Sequence, residues 1–285
     1  MHPSSDLPLE RPRRTSPVWL AAGFLLPWPD SPRLDDQQPN WRRAARWLTL
    51  VGLLIGVAYA VVYRGSWKWF GEYHRLRLLP AAVLLIADLG WCGHRQAAAW
   101  SRLVTRLGRA PAPGQPDVRA ALTLMLVGLL KFGFFLTIPI GATPYPADWR
   151  EHLGPLYPGV IYRPIVLMPL WGRWGILLAM SIGRVSDSGS GRLKAMAGGL
   201  RLFEAILHWC PIALLTVAYV SPDDQHLANG VVIALAVLVA TYLANFTLAL
   251  RFGGQDEDTV AATGLVAELA FLALYLPIAR AIYGY

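Results

Sequence analysis

Residues 229–250 read NGVVIALAVLVATYLANFTLAL, a stretch without a single charged side chain. A helix needs about 20 mostly apolar residues to cross roughly 30 Å of hydrocarbon. That layer holds no water, so every backbone N–H and C=O must be satisfied within the segment itself. The stretch is apolar on every side, which leaves no wet face for a surface helix. It sets the fold class: an all-α, polytopic membrane bundle. Working outward, the same test finds 47–63, 78–92, 120–140, 164–183, 202–220 and 260–279, so about seven spans are expected. The segment 78–92 is the weakest, being short and carrying Asp88. Residues 18–29 (VWLAAGFLLPWP) are apolar but too short and proline-broken to span, and they read as an interfacial or re-entrant piece. The expected organisation is a cytoplasmic N-terminal segment, 1–46, holding that piece, followed by a single membrane domain, 47–285.

Composition agrees. Only 15% of the 285 residues are charged and 55% are hydrophobic, whereas soluble domains carry about 25% charge. A disordered chain and a coiled coil are excluded, and a soluble enzyme is disfavoured. Two cysteines, Cys92 and Cys210, rule out a disulfide framework and a Cys-rich zinc module. The net charge of +8 does not imply nucleic acid; in an apolar chain, excess Lys and Arg hold cytoplasmic loops in place. With the N-terminus inside, the inside segments 1–46, 93–119, 184–201 and 251–259 hold 17 Lys and Arg and the outside segments 64–77, 141–163, 221–228 and 280–285 hold 7. Loop 64–77, with Arg64, Lys68, Arg75 and Arg77, runs against that bias. No short apolar run with a small-residue cleavage site follows Arg11, Arg13 and Arg14, so no signal peptide is expected. The outside loop 141–160 is rich in Pro, Gly and aromatics and reads as an interfacial turn, with Tyr145, Trp149 and Tyr157 at headgroup level. The cytoplasmic loop 184–199 (RVSDSGSGRLKAMAGG) is flexible by composition.

Ionisable groups within spans are costly and mark functional candidates. Here they are Asp88, Lys131, Arg173, Glu204, His208 and Glu268. Asp88 and Glu204 lie near cytoplasmic helix ends, where plain solvation accounts for them. His208 reads as a hydrogen-bonded packing histidine. Lys131 and Arg173 sit mid-span, and Glu268 lies deep enough in the last helix to need a partner. The densest polar cluster is RFGGQDEDT, Arg251 to Thr259, between two spans on the cytoplasmic side. Carboxylates in a Gly-rich loop suit Mg²⁺, which takes one or two protein carboxylates plus substrate phosphates, although an acidic loop is commonly just solvated. No phosphate-loop, H-E-x-x-H or G-x-S-x-G motif is present. Cys92 with His94 makes a poor zinc pair without further ligands.

The run RFGGQDEDTVAA, Arg251 to Ala262, followed by Glu268, resembles the last motif of the cobalamin synthase family, the adenosylcobinamide-GDP ribazoletransferases. The family's pattern is R-x-G-G-x-T-G-D-x-x-G-A, then a glutamate helix. Arg251, Gly253, Gly254, Asp258, Ala262 and Glu268 fall on it. FLLPWP (Phe24–Pro29), RAARWLTLVGLLIG (Arg43–Gly56) and PLWGRWGILL (Pro169–Leu178) resemble further family stretches in the right order. The resemblance implies transfer of the cobinamide phosphate: α-ribazole 5′-phosphate (or α-ribazole) attacks adenosylcobinamide-GDP and GMP leaves, with Mg²⁺ assisting at a cytoplasmic face of the inner (plasma) membrane. It implies Arg119, Arg173, Arg184 and Arg251, with Gly253 and Gly254, near the phosphates. Asp258 and Asp117 become the catalytic candidates, Asp88, Asp117, Asp256 and Asp258 the metal candidates, and Lys131 and Glu268 supporting residues. Other cobalamin biosynthesis proteins are possible partners besides the two substrates and membrane lipid.

The chain also departs from that family. The acidic signature L-D-G-x-A-D-x-x-D-G becomes WCGHRQAAAW (Trp91–Trp100), which puts Cys92, Gln96 and Ala99 in place of three aspartates. A thiol, an amide and a methyl cannot replace three hard oxygen anions. K-D-S-R-x-G becomes PDVRAA (Pro116–Ala121), keeping Asp117 and Arg119, and Asp256-Glu257 stand where the family has Thr-Gly. Three readings stay open: a divergent transferase, a catalytically inactive member that scaffolds cobalamin enzymes, and a small transporter with Lys131, Arg173 and Glu268 along its path.

Overall fold

The computed structural model describes residues 16–26, 40–71, 78–108, 117–138, 159–221 and 226–283. Among these there is no β-strand, only one parallel bridge between Val185 and Gln255. The helices are α1 (Pro17–Leu25), α2 (Trp41–Ala44), α3 (Leu48–Ser66), α4 (Leu78–Asp88), α5 (His94–Leu107), α6 (Val118–Leu136), α7 (Arg163–Ser181), α8 (Gly191–Ala197), α9 (Leu202–Val220), α10 (Leu227–Phe252) and α11 (Glu257–Tyr283). Among the described residues six helices are long and apolar enough to cross a membrane: the continuous helix Trp41–Phe70, then α6, α7, α9, α10 and α11. The protein is an all-α, multi-pass membrane protein.

The seventh candidate, 78–92, is not among those six. It forms the eleven-residue α4, passes through a π-turn at Leu89–Gly93, and continues as α5. Nor is 93–119 a plain positive loop. It contains α5, which buries Ala97, Ala99 and Leu103 and carries Arg95, Arg102 and Arg106. Spacings of seven and four residues set those arginines along one side of the helix, so charge and core coexist on a single element. The 184–199 segment, expected to be flexible, is also built. Ser190 caps α8 by accepting the Leu193 amide, and Ser186 N–H donates to the Gln255 carbonyl at 2.8 Å. The apolar piece at 18–29 forms α1, too short to span, with Leu20 and Ala21 fully buried and Trp19 exposed. Residues 27–30, 72–77 and 141–158 lie outside the described residues, and with them the end of FLLPWP, Arg75, Arg77 and most of the expected interfacial turn.

α7 is the axis of the bundle. Every residue from Arg163 to Met180 is buried, packed between α3, α9 and α11. A helix that meets protein on every side needs no polar face toward water, and its two arginines, Arg163 and Arg173, are buried among partners. Its indoles find partners inside: Trp171 Nε1 donates to Thr216 Oγ1 at 3.1 Å and Trp174 Nε1 to the Ala205 carbonyl at 3.0 Å. Close approach depends on small residues. A Cβ on Gly56 of α3 would run into the Val166 backbone, and one on Gly264 of α11 would sit 2.9 Å from the Gly172 carbonyl. By contrast α6 and α10 turn leucines outward, among them Leu126, Leu129, Leu235 and Leu243, as lipid-facing helices do.

Candidate functional site

Four charges from four helices meet halfway along the axial helix. Asp88, Lys131, Arg173 and Glu268 are each 1% exposed. Lys131 Nζ lies 2.8 Å from Asp88 Oδ2 and 2.8 Å from Glu268 Oε2. Arg173 Nη1 reaches Glu268 Oε1 at 2.7 Å, and Gln96 Nε2 donates to the same oxygen at 3.0 Å. Tyr59 donates its hydroxyl proton to Asp88 Oδ1 at 3.2 Å. Two cations and two anions cancel, which is what a low-dielectric interior requires. Solvation does not account for Asp88: it is buried, and Lys131 supplies its counter-charge. Glu268 has three partners. Gly172 is required here, because a Cβ at that position would collide with the Glu268 carboxyl. Glu204, read as solvated, pairs with Arg46 at 2.5 Å, and His208 Nδ1 lies 2.9 Å from Thr49 Oγ1.

Next to this network is a cavity of about 370 Å³. Its wall includes Arg95, Arg102, Arg173, Cys92, Gln96 and Glu257. The Cys92 thiol lies against the Arg173 guanidinium. Arg173 Nε and Gln96 Oε1 are buried polar atoms with no hydrogen-bond partner of good geometry. Among the expected phosphate arginines, only Arg173 lines this cavity. Arg119, Arg184 and Arg251 are exposed side chains elsewhere.

A second cavity, about 270 Å³, shares Glu257 with the first and adds Arg106, Ser188, Asp256 and Asp258. Here the Arg251–Thr259 loop is held tightly. Gly253 (φ +70°) ends α10 in the left-handed region, and Gly254 (φ +130°) brings its α-carbon so close to the Arg184 carbonyl that a Cβ would sit 2.7 Å away. Gln255 is buried between the Asn245 amide and the Thr259 hydroxyl. Asp256 and Thr259 cap α11 reciprocally, each accepting the other's backbone amide at 2.8 Å. The carboxylates also have cationic partners on α5. Arg106 Nη1 lies 2.6 Å from Asp256 Oδ2 and stacks over Phe252, while Arg102 Nη2 lies 2.6 Å from Asp258 Oδ1. Glu257 Oε1 accepts the Ser190 amide at 2.9 Å. Burial pushes the Asp256 carboxyl up, but the Thr259 amide and Arg106 outweigh it and hold it below the ordinary carboxylate range. Asp258 binding holds the Arg102 guanidinium above its usual value.

Asp117 stands apart from both cavities. It caps α6, accepting the Arg119 and Ala120 amides and the Thr105 hydroxyl; these bonds, the Thr105 contact first, keep its carboxyl low. The four carboxylates expected to share a metal therefore lie in three places: Asp88 in the buried network, Asp117 at the α6 cap, Asp256 and Asp258 in the loop. Among the described residues no group of three or more His, Cys, Asp and Glu side chains is disposed to hold a metal ion. The donor set at Cys92, Gln96 and Ala99 does not fit the Mg²⁺ that the family resemblance implies.

The residues missed by sequence reading are Arg95, Arg102 and Arg106, whose signal was the basic side of α5, set aside as loop charge; Gln96 was read only as a replacement for a family aspartate. The chain is 26% identical over 263 residues to the adenosylcobinamide-GDP ribazoletransferase of Thermoanaerobacter pseudethanolicus, covering 91% of this chain and 96% of that one. It is 29% identical over 164 residues to the protein of that name from Synechocystis, covering 55% of this chain and 54% of the relative. No solved structure matches. The profile of cobalamin-5-phosphate synthase matches residues 118–276, more than half the chain, from α6 into α11. Lys131, Arg173, the Gly253–Gly254 turn, Asp258 and Glu268 all fall within that match, and the chain belongs to the cobalamin-5-phosphate synthase family.

Proposed function

We propose that this protein is an adenosylcobinamide-GDP ribazoletransferase acting at the cytoplasmic face of the inner membrane. The carrying observation is the family match over α6 to α11, which holds the axial arginine, its glutamate and the glycine turn in one continuous block. A hydroxyl oxygen of α-ribazole 5′-phosphate forms a bond to the cobinamide-linked phosphorus. The diphosphate P–O bond breaks, GMP leaves with its electron pair, and the hydroxyl proton passes to solvent. Such a transfer is mostly positioning and charge stabilisation. Arg173 is suited to that role because Glu268 and the wall of α11 fix its guanidinium. Asp258 lies on the rim and orients Arg102.

The test uses purified membranes, adenosylcobinamide-GDP and α-ribazole 5′-phosphate, with product followed by mass spectrometry. Wild-type protein forms product, and Asp258→Ala lowers the rate by about tenfold or more while inserting normally. Full activity in Asp258→Ala removes that residue from the site. The dispersal of Asp88, Asp117 and the loop carboxylates favours a second reading, a catalytically silent member that scaffolds other cobalamin enzymes. It predicts no turnover by folded, inserted protein, together with stable co-purification of a partner.

A further inference from the structure

The cavity beneath α5 is built from cations where a Mg²⁺ site would need carboxylates. Three arginines and one glutamate line it. Arg95 and Arg102 are seven residues apart, about two turns, so they project from the same side of α5. Both are exposed, and Arg102 shares its charge with Asp258 at the rim. Beneath them Arg173 and Gln96 are almost wholly buried, at 1% and 3% exposure, yet Nε of one and Oε1 of the other lack partners. An unsatisfied buried donor is costly, and native structures rarely leave one without a ligand or water to fill it. Gln96 cannot turn its amide to relieve this, because Nε2 is needed by Glu268. Arg173 and Gln96 thus stand at the cavity wall with one orphaned polar atom each, and the rim carries the Arg95 and Arg102 guanidiniums, which the Phe24 carbonyl and Asp258 hold in place.

The geometry points to a metal-independent oxyanion subsite in this cavity, one that takes the phosphate or diphosphate group of a substrate directly on Arg95, Arg102 and Arg173. Guanidiniums suit this role because their planar donors match phosphate oxygens two at a time. The arginines here neutralise the charge that a divalent cation neutralises when carboxylates line such a site. This inference deepens the transferase reading and rests on it for the identity of the substrate, but not for the presence of an oxyanion site.

Inorganic pyrophosphate is the probe, titrated calorimetrically into the full chain in detergent, once with EDTA and once with Mg²⁺. Binding in EDTA is expected to be within about threefold of that with Mg²⁺. The Arg95→Gln/Arg102→Gln variant should weaken it by roughly 100-fold, as loss of two charge-assisted contacts predicts, and thermal unfolding of the free variant checks its fold. Lys194→Gln, an exposed residue that does not line the cavity, should bind as wild type does. Binding that appears only with Mg²⁺ overturns the metal-independent site and leaves the transferase reading standing. Binding in EDTA that ignores the double substitution overturns the assignment to this cavity. Binding in EDTA without turnover in the mass-spectrometric assay supports the cavity and sinks the transferase reading instead.

Discussion

At the residue scale the buried quartet is the most consequential feature, because its members are neutral only together. Replacing Lys131 by Met would leave Asp88 facing only the Tyr59 hydroxyl, and Glu268 held by Arg173 and Gln96. Removing one partner from such a network costs roughly 3–5 kcal/mol, so Lys131→Met should unfold at markedly lower denaturant in micelles. A loss below about 1 kcal/mol would contradict the network. Sequence alone flagged Lys131, Arg173 and Glu268, since charges inside spans stand out. Their pairing was not legible, because Lys131 and Glu268 are 137 positions apart and nothing local encodes the contact. Asp88 was misread for the same reason: its distance from a helix end suggested water, whereas the fold supplies an ammonium. Asp256 gives a pH prediction. Its carboxyl titrates lower in the folded protein than in the unfolded chain. Its stabilising contribution is therefore complete above the ordinary Asp value of about 4 and fades as pH falls through the folded value. Asp256→Asn should be less stable than wild type at neutral pH and should lose less stability between about pH 5 and 2. Parallel acid-denaturation curves would refute the Arg106–Asp256 link.

At the element scale the six long apolar helices could be read directly, since hydrocarbon thickness sets their length. α5 could not. Its arginines and alanines give it neither the length nor the hydropathy of a span, and only packing against α6 and α11 shows that it is part of the bundle. Much of the candidate site hangs on that element, so the site was legible only as far as its motif-bearing helices. The α3–α7 contact was not read from the sequence, where RAARWLTLVGLLIG served only as a family resemblance. Gly56 faces a backbone that cannot yield. Gly56→Leu should therefore force the two helices apart at a cost of about 1–3 kcal/mol or more, read as a lowered midpoint of thermal unfolding. Gly65→Leu, where a Cβ meets nothing within 4 Å, should leave the midpoint nearly unchanged.

At the scale of the whole molecule, the helices divide into those that meet lipid and one that does not. The one mid-span charge of α6, Lys131, has a counter-charge, Asp88, that is made before it. α10 has an apolar outer face and can rest in a bilayer as a single helix. α7 cannot: it is the least apolar of the six long helices, with a mean hydropathy of 1.3, and it carries Arg163 and Arg173. Its counter-charge, Glu268, is made 95 residues later. During synthesis α7 must therefore wait beside its neighbours, or in the insertion machinery, until the last helix emerges. Assembly of the axis is tied to synthesis of α11. A version stopped after residue 256 would leave Arg173 unpaired in the membrane, and pulse-chase labelling should show it degraded far faster than the full chain. Adding residues 257–285 as a separately expressed helix should restore its lifetime. The same glutamate that fixes the arginine at the site would then also serve as a checkpoint for the membrane's quality-control proteases, which would meet the exposed charge only on chains stopped before α11.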